Sequence, residues 1–262
     1  MRTLALGAAM AAMCVGMQPA ANQDQVDPQQ IIQKFSAREA EFREARNNYT
    51  YRQTVKMEEL DMGGNPSGGK WEEVDDIIFT PEGKRIVHGV RMPVPTLQHI
   101  GLDAEDQSDL LNIQPFVLTT EELPKYNINY LGREKVDEIG CYTFSVKPKK
   151  LVKGERYFEG EVWVDDRDLQ IVKSYGKAVG IVPGDHQYPK FETYREQVDG
   201  KYWFPTYTHA DDTLHFKDMD QRVRMTVRYQ DYKRYEGKST IRFGNVVDDK
   251  KGTTEPPAAK KK

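Results

Sequence analysis

Residues 157–175 read YFEGEVWVDDRDLQIVKSY. Two apolar runs, 160–164 and 169–172, flank Asp165, Asp166, Arg167 and Asp168. So many carboxylates together invite a metal or acid–base reading. Aspartates between such runs also bond their own local backbone and favour turns. Flanks rich in Val, Ile, Trp and Tyr favour strands. The stretch therefore reads as a β-hairpin with the charged cluster as its turn.

The same grammar continues in both directions. Tyr49, Tyr51, Gln53, Val55 and Met57 alternate with polar residues, as one half-buried strand requires. A glycine-rich turn at 63–69 leads to a run over 71–79, and Pro81, Glu82 and Gly83 turn the chain into 84–90. Further strand-like runs occupy 126–136, 141–146, 157–164, 169–175, 191–198, 202–208 and 222–235. Turn signals between them describe an antiparallel meander. Upstream, Asp27 and Pro28 form a helix start, and Ile31, Phe35 and Phe42 mark the apolar stripe of a helix of about 18 residues. Residues 92–125 break the meander with prolines and many leucines. Ala104 can open a short helix after Asp103, and 119–122 can make a brief turn. Such an insertion reads as a lid over a cavity, as a plug completing the core, or as both.

The chain has 262 residues, 38 basic and 41 acidic side chains and a net charge of −3. That length suits one large β domain, and the near-neutral balance gives no support to a nucleic-acid binder. Residues 1–21 read as a secretory signal peptide, with a buried N-terminal helix as the alternative; the apolar run is too short to span a membrane. Cys14 could instead be a lipidation site. If Cys14 leaves, Cys141 remains alone, and its alternating surroundings read as core. One domain is expected over 22–247, and a solvated basic tail over 248–262.

No motif carries catalysis. Gly64, Gly69 and Lys70 nearly spell a phosphate loop, but Trp71 stands where a hydroxyl should hold the metal, and no helix follows. Asp103, Glu105, Asp106 and Asp109 read as helix-start charges. Of the five histidines, His209 and His215 are close in sequence, yet a straight strand holds them about 20 Å apart. Asp211 and Asp212 would have to form a turn before a metal could bind there. The expectation is a non-enzyme without cofactor or metal, and a metal-dependent hydrolase using His209, Asp211 or His215 is the weakest rival.

Bulky aromatics spread across the strands raise the prospect of an interior that holds an apolar ligand. The chain resembles the LolA/LolB-like superfamily, and more closely the bacterial outer membrane lipoprotein-sorting proteins. The resemblance rests on the 27–35 helix start and on residues 115–118, 130–134, 142–146, 160–165, 171–173, 191–196, 202–205 and 229–232. It implies a mainly β (α+β) fold: a curved, unclosed antiparallel β-barrel of about ten or eleven strands, with a helical lid over its apolar side. It also implies a periplasmic carrier of lipoprotein or lipid acyl chains, with transient membrane contact. The arginine that fastens the lid of the LolA carrier has no counterpart that the sequence places. The periplasmic stress regulator RseB uses a similar domain for sensing, so an envelope sensor or assembly adaptor that binds a protein partner by an exposed sheet edge is the second reading. The expected groove residues are Trp71, Phe79, Phe144, Trp163 and Phe204, with Leu97, Ile100, Leu110 and Leu111 from the lid. A register error of one residue reverses each strand's face.

Overall fold

The structure is a computed structural model and describes residues 27–80, 82–181 and 186–235. The expected signal peptide, Cys14 and the basic tail lie outside the described residues.

Helix α1 spans Pro28–Arg46. The Asp27 carboxylate accepts the Gln29 N–H at 2.9 Å and caps its first turn. Among the described residues ten strands follow: β1 Tyr49–Leu60, β2 Pro66–Phe79, β3 Arg85–Arg91, β4 Tyr126–Val136, β5 Ile139–Pro148, β6 Arg156–Asp165, β7 Ile171–Gly180, β8 Phe191–Gln197, β9 Trp203–His215 and β10 Asp220–Arg234. All neighbours pair antiparallel in one sheet of order β3-β2-β1-β10-β9-β8-β7-β6-β5-β4. Strands β3 and β4 are its two edges and do not pair, so the barrel is unclosed.

That order gives residues 92–125 their task. They join one edge strand to the other and so must cross the opening. Helix α2, Ala104–Asn112, lies on this path, with a 3-10 turn at Leu123–Lys125 before β4. Asp103 and Asp106 exchange side-chain-to-backbone bonds of 3.0 and 2.9 Å, a capping box that starts α2. Leu110, Ile113, Phe116 and Leu118 are buried in the main core. The insertion is therefore core material as well as cover.

Helix α1 fills the sheet's inner face. The Phe35 ring lies 5.4 Å from Phe144 of β5, and Phe42 lies 5.3 Å from Phe204 of β9. Between those contacts, Glu39 and Arg195 of β8 form a fully enclosed ion pair at 3.1 Å. Glu39 also accepts the Ile171 N–H at 3.1 Å. Arg195 donates onward to the Phe116 carbonyl, and Arg46 donates to the Pro115 carbonyl at 3.3 Å. One polar knot thus ties helix, sheet and insertion together.

The 165–170 hairpin is as expected. Asp165 accepts the N–H groups of Arg167 and Asp168 at 2.6 and 3.1 Å. Asp168 accepts the Trp203 indole N–H at 2.7 Å. Farther along these strands Gly160 faces Gly176. A Cβ at Gly160 would stand 2.1 Å from the Tyr175 carbonyl and 2.8 Å from the Phe158 ring. The glycine pair makes room for Phe158, which stacks on Phe116 at 4.3 Å.

Candidate binding cavity

A cavity of about 350 Å³ opens between the insertion and the inner face of the sheet. It falls at the lower end of the range for small-molecule sites, about 300–1,000 Å³. Its apolar wall comes from register. Met57 of β1 stands opposite both Trp71 of β2 and Met225 of β10, and Phe191, Leu214 and Ala178 extend the wall along β8, β9 and β7. Ile100, Leu102 and Leu110 close it from the insertion. Gly101, His186 and Gln187 on its lining are exposed and mark the mouth. Two methionines in the wall supply unbranched, polarizable side chains that adapt to a ligand's shape.

The insertion is anchored at this mouth by Glu59, the last-but-one residue of β1. Its buried carboxylate accepts the N–H groups of Gln98, His99 and Ile100 at 3.0, 2.7 and 3.0 Å. Burial alone would raise its pKa. The three backbone donors, with His99 beside them, overcome that and hold it below the ordinary value of 4.5. Gly69 leaves space for this carboxylate, since a Cβ there would stand 2.0 Å from Glu59 Oε2.

The other wall is polar: Asp103, Asp106, Asp109, Gln114, His186 and Tyr188. Asp109 is gripped by Arg156 of β6 through two hydrogen bonds, one of them 3.2 Å from Nε to Oδ1. Asp106 is pushed up to about 6, by burial first and then by the neighbouring Asp103.

The expected groove residues divide. Trp71, Ile100 and Leu110 line the cavity. Phe144 and Phe204 are fully buried against α1, so they fill the interior. Leu97 packs half-buried on the core; Leu111, also half-buried, stands outside the cavity lining. Phe79 stacks on Tyr235 at 4.6 Å, away from the cavity. Trp163 needs correction. Val162 and Val164 face inward, while Trp163 packs with Cys141 and Val172 in a separate cluster on the opposite face. Its indole donates to Glu134 at 2.7 Å, and the Lys173 ammonium sits 4.8 Å from its ring.

Sequence reading missed Met57, Gln114, Tyr188, Phe191, Leu214 and Met225. Alternation placed Met57 on the same face as Tyr49, but nothing local says that β10 brings Met225 beside it. The rival histidine site does not assemble. Strand β9 runs unbroken from Trp203 to His215, without a turn at Asp211 and Asp212. Asp211 is held by Arg222 and Arg224 at 3.0 and 3.1 Å, and His215 pairs with Asp220 at 2.8 Å. Among the described residues, no three His, Cys, Asp or Glu side chains gather as a metal site.

No family model matches the sequence, and no curated protein does. Solved structures with a similar chain course include three bacterial proteins. A DUF1329 family protein from Desulfovibrio piger is 13% identical, covering 84% of this chain and 98% of its own, with a TM-score of 0.39. A LolA superfamily protein from Nitrosomonas europaea is 14% identical, covering 80% and 94%, at 0.34. An outer membrane lipoprotein-sorting protein domain from Vibrio parahaemolyticus is 15% identical, covering 78% and 93%, also at 0.34. At these identities no side chain's role carries over. Among the described residues, the unclosed ten-strand antiparallel sheet, filled by one helix and crossed by a second helical segment, agrees with the mainly β, unclosed architecture that the sequence resemblance implied.

Proposed function

We propose that the protein is a periplasmic binder and carrier of acyl chains, from a lipid or a lipoprotein, and does no chemistry on them. The observation that supports this best is the cavity's long apolar wall, reached through a mouth formed by the crossing insertion. Each buried CH₂ contributes about 0.8 kcal/mol, so an acyl chain can be gripped without specific chemistry and released when the mouth widens. Transient membrane contact would deliver or collect the chain. The test is purification from the periplasm without detergent, native mass measurement, then extraction of bound molecules. Near-stoichiometric acyl lipid or lipoprotein is the expected result. A well-folded, empty protein that refuses added lipid would overturn it.

A second reading, an adaptor for an envelope protein, is favoured by edge strand β3. Val87 and Val90 on this strand are 51% and 47% exposed, and Met92 and Val94 just beyond are 66% and 87% exposed. An unpaired edge with apolar side chains can accept a partner's strand. Under this reading Val87→Lys with Val90→Lys abolishes capture of an envelope partner and leaves lipid content unchanged.

A further inference from the structure

The cavity's polar wall has a definite chemical bias. Three carboxylates line it, from Asp103, Asp106 and Asp109, and among the described lining residues there is no lysine or arginine. Local duties account for part of this acidity. Asp103 and Asp106 cap α2, and His186 Nδ1 stands 3.3 Å from Asp103. Arg156 holds Asp109 from behind the lining, with the Tyr188 ring 4.0 Å from its guanidinium carbon on its other side. Capping and pairing alone would not make a site.

Gln114 is the independent observation. It is 7% exposed and on the cavity wall. Its side-chain nitrogen lies 3.6 Å from Met225 Sδ, and its carbonyl Oε1 receives no hydrogen bond from the described residues. The hydroxyl of Tyr188, on the same wall, has no hydrogen-bond partner among the described residues and can either donate or accept. A buried amide carbonyl is costly to leave without a donor. Gln114 Oε1 lacks a donor, and no lysine or arginine on the described lining supplies one.

Phosphate and carboxylate head groups would bring more acceptors and more negative charge to it. A protonated amine brings three donors and the opposite charge. We propose that the cavity takes single-chain amphiphiles with a protonated amine head in preference to anionic or uncharged ones. The chain lies along Met57, Trp71, Phe191 and Met225, and the head meets the acceptors of Gln114 and the α2 aspartates. This rests on the reading that the cavity holds an apolar chain.

Three probes with one chain and different heads separate the two claims: dodecylamine, dodecanol and dodecanoate, titrated calorimetrically into the full chain below their micelle concentrations. Dodecylamine is expected to bind tightest, by roughly ten-fold, the worth of one charge-assisted hydrogen bond. Gln114→Met and Asp106→Asn should each shrink that margin, and either variant serves if the other fails to fold. A cavity-filling Ala178→Phe should abolish binding. Equal affinities, or tighter binding of dodecanoate, would overturn the head-group preference and leave the chain-binding reading standing. Binding that survives Ala178→Phe would place the amine on the acidic surface and overturn the proposal. If none of the three binds, the chain-binding reading falls and the preference with it.

Discussion

Trp163 stands between Val162 and Val164, and all three are buried, yet on two faces. Alternation along a strand shows that neighbours point apart; it does not say which set points in. Both sets here are apolar, because the outer cluster of Cys141, Trp163 and Val172 imitates a core. Trp163→Glu should therefore leave binding of an apolar probe unchanged while lowering the urea midpoint, since the variant puts a carboxylate beside Glu134. Phe144→Ala is expected to cost about 3–5 kcal/mol by urea unfolding, because its ring is wholly enclosed against Phe35. Gln114→Met runs the other way. It removes an unpaired buried acceptor at nearly constant volume and should raise stability by about 1 kcal/mol in the ligand-free protein.

The insertion is held at two places by different chemistry. At its start Glu59 gathers three backbone N–H groups; past α2, Arg195 and Arg46 take the carbonyls of residues 116 and 115. Glu59 has a depressed pKa in the folded state, so its contribution is fully present above 4.5 and is lost as pH falls through the lower folded value. The protection of the His99 and Ile100 amides against hydrogen exchange, relative to the intrinsic rate at each pH, should fall on acidification through that window, and Glu59→Gln should flatten the response. Arg195→Met, which strands Glu39 without its partner, is expected to destabilise by about 3–5 kcal/mol and to expose residues 113–119 to protease. The caps of both helices, Asp27 and Asp103, are local signals and were legible in the sequence, as was the turn at 165–168. The two anchors join residues distant in sequence, and no local pattern announces such a bond. Asp103, Asp106 and Asp109 illustrate the same limit: the helix start at Asp103 and Asp106 can be read directly, whereas Asp109 lies past the first turn of α2 in the grip of Arg156, and the place of all three on a cavity wall depends on strands supplied from elsewhere.

Across the whole molecule, the hairpins follow from turn chemistry and the antiparallel meander from their succession, whereas the opening between β3 and β4 was implied by the resemblance alone. The wall of the cavity follows from neither, because Met57, Trp71 and Met225 meet only through the β2-β1-β10 register. A saturating apolar ligand should raise the unfolding free energy by about 2.7 kcal/mol at a hundred-fold excess over Kd, read as a rise in Tm. Deleting the chain from Asp220 onward should abolish cooperative unfolding altogether, since β10 joins β1 to β9. That seam has a further meaning in time. The first strand made sits beside the last, so the sheet's middle cannot be sealed until the final strand has emerged from the ribosome. Loop closure over that distance is slow. Under the proposed periplasmic role such a delay would be useful: the polypeptide would stay threadable while it is moved, and its shape would be completed on the far side.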